Sequence, residues 1–157
     1  MATHADDQDS SAELMRRLAI AFAAGSRTVA ASMEDVVRAT GLTFPLAELM
    51  WHLVPGQQPP AMKDLATAMH CDRSNVTPLV ERLVKAGLAE RREDPQDRRS
   101  KTVHLTPDGE KKRQELMTYL VERSIFASLS ATQLSSLVEL LERLAPQGGA
   151  GRAEPHT

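Results

Sequence analysis

From Ser11 to Thr40 the apolar positions recur at steps of three or four: Leu14, Leu18, Phe22, Gly25, Val29, Met33 and Val36. That spacing lays one apolar stripe along a single long helix. Ser11 is placed as its N-cap and Gly41 as the C′ residue that ends it. A glycine such as Gly25 in a helix interior costs roughly 1 kcal/mol, so a bend or a close crossing by another helix is expected there. The helix is too long to lie over one small core, and part of its stripe is expected to face another subunit.

Pro45 opens a short second helix, PLAELMWHLV, which stops at the breaker string Pro55-Gly56-Gln57-Gln58-Pro59-Pro60. Met62 to Met69 forms a third, with Leu65, Ala66 and Met69 on its buried side. His70-Cys71-Asp72 makes a tight turn, and Asp72 is placed to cap the next helix, Arg73 to Ala86, which stops at Gly87. The period then changes from 3.6 to 2. Leu88, Glu90 and Arg92 alternate with Ala89, Arg91 and Glu93, and after a polar tip Thr102-Val103-His104-Leu105 alternates again, which predicts a β-hairpin. Thr106-Pro107 opens a helix to about Ala127, and Ser130 caps a last helix whose Leu134, Leu137, Val138, Leu141 and Leu144 form a leucine seam to Ala145.

The reading is thus a single, mainly α domain over 1–157 with a small β-hairpin. Residues 11–40 and 107–145 supply long terminal helices, 45–106 the compact middle, and 1–10 and 146–157 tails expected to be disordered.

Composition narrows the class. A chain of 157 residues can bury a core without staples. The single cysteine, Cys71, precludes an internal disulfide framework and fits a reducing cytoplasm, which is the expected location. No apolar run approaches the roughly 18 residues of a membrane span, and the acidic, polar N-terminus is the reverse of a secretory signal. The formal net charge is −2, yet between Ala61 and Arg113 there are 12 Lys/Arg against 9 Asp/Glu. A basic segment inside an acidic protein can serve a polyanion locally.

Helix, tight turn, helix, then hairpin is the order of a winged helix-turn-helix. The stretch MKDLATAMHCDRSNVTPLVERLVKAGLAERREDPQDRRSKTVHLTPDGEKK resembles the MarR family of transcriptional regulators. The motif that carries this is Asp94-Pro95-Gln96-Asp97-Arg98-Arg99 followed by Val103-His104-Leu105-Thr106-Pro107-Asp108-Gly109. The resemblance is sharp from about Met62 to Gly109 and elsewhere extends to helix order alone. It implies long terminal helices that interlock two subunits, each of which presents one winged helix to double-stranded DNA at a pseudo-palindromic operator.

The residues agree with that reading. Val76, Leu79, Val80 and Leu83 fall on one face of the Arg73–Ala86 helix and predict its buried side. The opposite face shows Ser74, Pro78, Glu81 and Lys85, flanked by Arg73 and Thr77 on one edge and Asn75 and Arg82 on the other. Short polar groups near the N-terminus with cations farther along suit a helix whose first turns enter the major groove while Arg and Lys reach phosphates. Glu81 either accepts from a cytosine amino group or pairs with Lys85 at i+4, and the pair is favoured. Pro78 interrupts the second turn, and His70 stands where glycine is common in such turns. By resemblance, Arg99 enters the minor groove, Asp97 orients its guanidinium, and Arg98 touches phosphate. Standing alone, an Asp-Arg-Arg loop is solvated charge, and only its place after the helix-turn-helix gives it meaning.

Cys71 matches the buried apolar residue of the turn and reads as a small core hydrophobe, with Asp72 raising its pKa. Histidines 4, 52, 70, 104 and 156 have no metal spacing, and no cofactor is expected. No catalytic constellation is present, so an enzyme is not expected. Trp51 and His52 lie on the short second helix, which in the resembled family borders a pocket for small aromatic anions. Trp51 reads first as core packing and second as a wall for a small aromatic or phenolic ligand. The leading function is a homodimeric, sequence-specific DNA-binding regulator, a repressor released by a small ligand. The alternative is a helical dimer that acts through protein partners without binding DNA.

Overall fold

The computed structural model describes residues 3–94 and 100–144, with side chains from Ser10 onward. In chain order the elements are α1 (Thr3–Ala39), α2 (Phe44–His52), α3 (Met62–Ala68), α4 (Arg73–Lys85), β1 (Ala89–Glu93), β2 (Lys101–Leu105), α5 (Pro107–Arg123), a 3-10 turn (Ile125–Ser128) and α6 (Ala131–Leu144). The strands form one antiparallel hairpin in which Ala89 faces Leu105 and Glu93 faces Lys101.

The long first helix begins at Thr3 rather than at a Ser11 cap, so residues 3–10 of the expected tail are helical. No glycine or proline interrupts this stretch. Its other end is as predicted, at Gly41 with φ 72°. The helix is buried only toward that end, at Met33, Val36 and Val37, whereas Leu14, Leu18 and Phe22 are each at least 60% exposed. At Gly25 no described residue comes close enough to crowd a Cβ, so the crossing expected there is not made among the described residues.

The core lies in the middle segment. Leu49, Met50, Leu65, Val76, Val80, Leu83, Val103 and Leu116 are almost wholly buried and bring α2, α3, α4, β2 and α5 together. The breaker string contributes as well: the Pro60 carbonyl accepts the Val103 amide, and Ala61 bridges to Thr102 across β2. α2 starts one residue before Pro45 and stops at His52, two residues short of the predicted run.

α5 ties the layers together. At its start, Thr106 Oγ1 accepts the Gly109 amide at 3.1 Å and donates to the Gly87 carbonyl at 2.6 Å. Further on, Lys112 Nζ donates to the Thr40 carbonyl at the end of α1, and Arg113 Nε donates to the Met50 carbonyl in the last turn of α2. Cations at helix C-termini complement the helix dipole. α5 ends at Arg123, short of Ala127, because Ser124 turns to extended backbone and Ile125 donates instead to Ser32 Oγ on α1. Ser130 and Gln133 form a reciprocal cap at the start of α6, as the predicted Ser130 cap requires. No residue of α6 is buried, and Leu134, Val138, Leu140, Leu141 and Leu144 lie open.

Gly109 packs directly on the Leu88 carbonyl. A Cβ there would fall inside the van der Waals shell of that oxygen and within 3.2 Å of Leu105 Cδ2. Neither backbone can yield without breaking the Thr106 bonds. Gly109→Ala is therefore expected to destabilise the fold by about 3 kcal/mol in urea denaturation, and a loss under about 0.5 kcal/mol would contradict this packing.

Candidate nucleic-acid interface

α3 ends in a Schellman motif. The Cys71 amide donates to the Ala66 carbonyl and the His70 amide to the Thr67 carbonyl, with His70 in the left-handed region at φ 49°. α4 ends the same way: Leu88 donates to Leu83, Gly87 to Val84, and Gly87 sits at φ 72°. The two turns differ in that histidine occupies the position glycine fills in the second. Asp72 is the N-cap residue of α4, but its side chain makes no capping bond, and its carbonyl receives the Asn75 amide instead.

The orientation of α4 is set by Val76, Val80 and Leu83, while Leu79 is only half-buried. Arg73, Ser74, Asn75 and Arg82 are exposed on the predicted face together with Pro78 and Lys85. Among the described residues, no hydrogen bond or ion pair engages the side chains of Arg73, Ser74, Asn75, Arg82 or Lys85. Thr77 is half-buried, and its hydroxyl donates to the Arg73 carbonyl at 3.0 Å. That leaves its oxygen lone pairs facing outward chemistry as acceptors only.

Glu81 departs from expectation. Among the described residues its ion pair is with Arg91 of β1 at 3.7 Å, not with Lys85. Arg91 also donates to the Thr77 carbonyl at 3.4 Å. Sequence reasoning passed over Arg91, although the strand period carried the signal. Arg91 shares a face of β1 with buried Ala89, and that face looks toward α4.

The wing tip is closed by the Asp94 amide donating to the Ser100 carbonyl. Asp97, Arg98 and Arg99 lie outside the described residues. At the base of the wing, Arg92 pairs with Glu90, and Thr102 Oγ1 lies 3.0 Å from His104 Nε2. Burial, and after it the Arg92 charge, holds the His104 imidazole below its ordinary pKa against the pull of Glu90.

Residues 56–101 match the model of the MarR family. Over 83 residues the chain is 35% identical to an uncharacterized HTH-type transcriptional regulator, YsmB, of Bacillus subtilis (strain 168), covering 52% of this chain and 57% of that one. Over its winged-helix segment the chain is similar to the MarR family. It spans about half the length of the curated relatives it matches. Among solved structures, the fold resembles the transcriptional repressor CouR bound to a 23-mer DNA duplex, at TM-score 0.70 and 22% identity over 85% of this chain and 95% of that one. CouR of Rhodococcus jostii RHA1 has also been solved with p-coumaroyl-CoA. BpsR of Bordetella bronchiseptica, whose DNA binding is regulated by 6-hydroxynicotinic acid, is 27% identical at TM-score 0.63 over 87% of this chain and 93% of that one.

Beside the winged helix lies a cavity of about 560 Å³, walled by Trp51 of α2, Met33 of α1, Leu120 and Ser124 at the end of α5, Phe126, and the α6 leucines. Trp51 meets Phe44 edge-on at 5.8 Å. His52 is not part of the wall. Among the described residues, the cavity lining includes no charged side chain. Two buried side-chain atoms lack a hydrogen-bond partner among the described residues, Trp51 Nε1 and Ser124 Oγ, and both belong to this wall. A buried donor left unpaired costs about 1–3 kcal/mol.

Cys71 is half-buried against the core, as expected of a small hydrophobe. Burial first, then the nearby Glu48 and Asp72 carboxylates, push its thiol pKa up, which disfavours the reactive thiolate. Among the described residues no cluster of His, Cys, Asp or Glu could hold a metal ion, and no helix is long and apolar enough to cross a membrane.

Proposed function

We propose that this chain is a homodimeric, sequence-specific DNA-binding repressor that a small ligand releases from its operator. The observation that carries the reading is the uncommitted face of α4. Arg73, Ser74, Asn75, Arg82 and Lys85 stand exposed, without partners among the described residues, on a helix whose other side is locked into the core. Side chains in that state are free to exchange water for base edges and phosphates. In this reading Arg98 and Arg99 add the minor-groove and phosphate contacts of the wing, oriented by Asp97.

A second copy is the occupant that suits the open apolar faces. The groove between α1 and α6, about 750 Å³, is bounded by Phe22, Gly25, Val29, Phe126, Leu137 and Leu141. It continues into the exposed Leu14 and Leu18 of α1 and the open leucines of α6. Apolar surface of that extent demands a partner. Two-fold pairing gives two equivalent α4 helices and so a two-fold operator. The same pairing would close the cavity beside Trp51 over its ligand. A lining without charge suits a neutral phenol or ester better than an aromatic carboxylate, with the Trp51 N–H and Ser124 hydroxyl as the available polar anchors.

Selection from a random duplex pool is expected to enrich an inverted repeat with half-sites about 10 bp apart, centre to centre. On that duplex, Ser74→Ala should relax discrimination at one base by about 1–3 kcal/mol, while Arg82→Ala should weaken all duplexes alike. No enriched site would favour the helical dimer that acts through protein partners.

The ligand reading has its own probe, because Trp51 is the single tryptophan. Methyl 4-tert-butylbenzoate is expected to shift Trp51 fluorescence and lower operator affinity, with 4-tert-butylbenzoate much weaker in both. Stronger action by the carboxylate would overturn the choice of ligand chemistry.

A further inference from the structure

The recognition face of α4 is crossed by a feature that plain DNA binding does not explain. Glu81 places a carboxylate, 61% exposed, on a surface proposed to approach phosphates. Such a charge repels the duplex unless something neutralises it. Its partner comes from the wing: Arg91 Nη2 lies 3.7 Å from Glu81 Oε1, and that guanidinium is itself only 31% exposed. The same Nη2 reaches the Thr77 carbonyl at 3.4 Å. Thr77 is immediately before Pro78, whose missing N–H takes the helical donor away from the Ser74 carbonyl. One arginine from β1 therefore grips α4 on both sides of its weakest turn, by a main-chain oxygen before the proline and a carboxylate after it.

Geometry gives this grip a consequence. Arg91 pairs with Val103 in the hairpin, so its backbone moves with the wing. Thr77 and Glu81 move with the helix proposed to read bases. A planar guanidinium that sets one Nη2 between a main-chain oxygen and a carboxylate holds two such bodies at one spacing better than a rotating ammonium does. We infer that Arg91 is a positioning residue for duplex recognition, which sets the distance between wing and α4 through Thr77 and Glu81 and contacts no DNA itself. Glu81 is then the anchor of that brace and not a reader of cytosine.

This inference rests on the DNA-binding reading, and its test separates the two. The full-length chain and its Arg91→Met, Glu81→Gln and double variants are titrated against the selected duplex and against a scrambled one over a series of salt concentrations. The brace predicts that each single variant lowers affinity for the selected duplex by roughly two- to fivefold, the range of a partly exposed ion pair. It predicts that the double variant is no weaker than the poorer single one, and that scrambled duplex is bound equally by all four. The slope of log affinity against log salt should stay unchanged. A slope shallower by about one in Arg91→Met would make Arg91 a phosphate contact. Additive losses, or a loss in Glu81→Gln confined to one base position and absent in Arg91→Met, would make Glu81 a base reader. Either result overturns the inference. Amide hydrogen exchange of β1 and β2 in the same four proteins, without DNA, keeps the brace testable if no duplex is bound. Faster exchange that is non-additive between the two sites supports it, and unchanged exchange in all variants refutes it.

Discussion

The orientation of the whole winged helix depends on one close approach, the α carbon of Gly109 against the carbonyl of Leu88. This contact lets Thr106 bridge two segments, donating to the Gly87 carbonyl while accepting the Gly109 amide, as its own amide meets the Leu88 carbonyl. The end of α4, the base of the hairpin and the start of α5 thereby become one rigid corner. α5 then runs on to hold the last turn of α2 and the end of α1 through Arg113 and Lys112. The proposed reading face thus has an unbroken mechanical path to the helices proposed to pair two subunits.

That path also runs past the cavity. Arg113 grips Met50, the residue before Trp51, and Ser124 closes the far end of α5. A ligand that engaged the Trp51 and Ser124 walls would act on both ends of the same helix. Trp51 Nε1 and Ser124 Oγ, which have no partner among the described residues, are where such a ligand would gain hydrogen bonds.

Much of this was legible in the sequence, for reasons that local chemistry explains. The 3.6-residue spacing of Val76, Val80 and Leu83 determined which side of α4 is buried, and the Thr106-Pro107 pair marked the start of α5. Glycine at Gly41 and Gly87 marked helix ends because the left-handed region is open to it. What escaped was decided by contacts distant in sequence. Glu81 has Lys85 within reach on its own helix, yet the structure pairs it with Arg91, which arrives only after the chain has turned at Gly87. The end of α5 is set by Ser32 on α1, a partner 93 positions away. The start of α1 was misread because a good capping residue, Ser11, is also a tolerable interior one when nothing upstream breaks the helix.

The central claim is that two copies of α4 and its wing meet phosphate together. Each copy offers Arg73, Arg82 and Lys85 on α4, so a dimer presents these cations twice over. Neutralised phosphates release counterions, which makes affinity fall with salt at about −0.9 per contact. The most direct measurement is the affinity of the wild-type chain for its selected duplex across a range of salt concentrations. On this account, six such cations at the operator should give a slope of about −5 or steeper. A slope of about −2 or shallower, or no measurable binding at low salt, would contradict it.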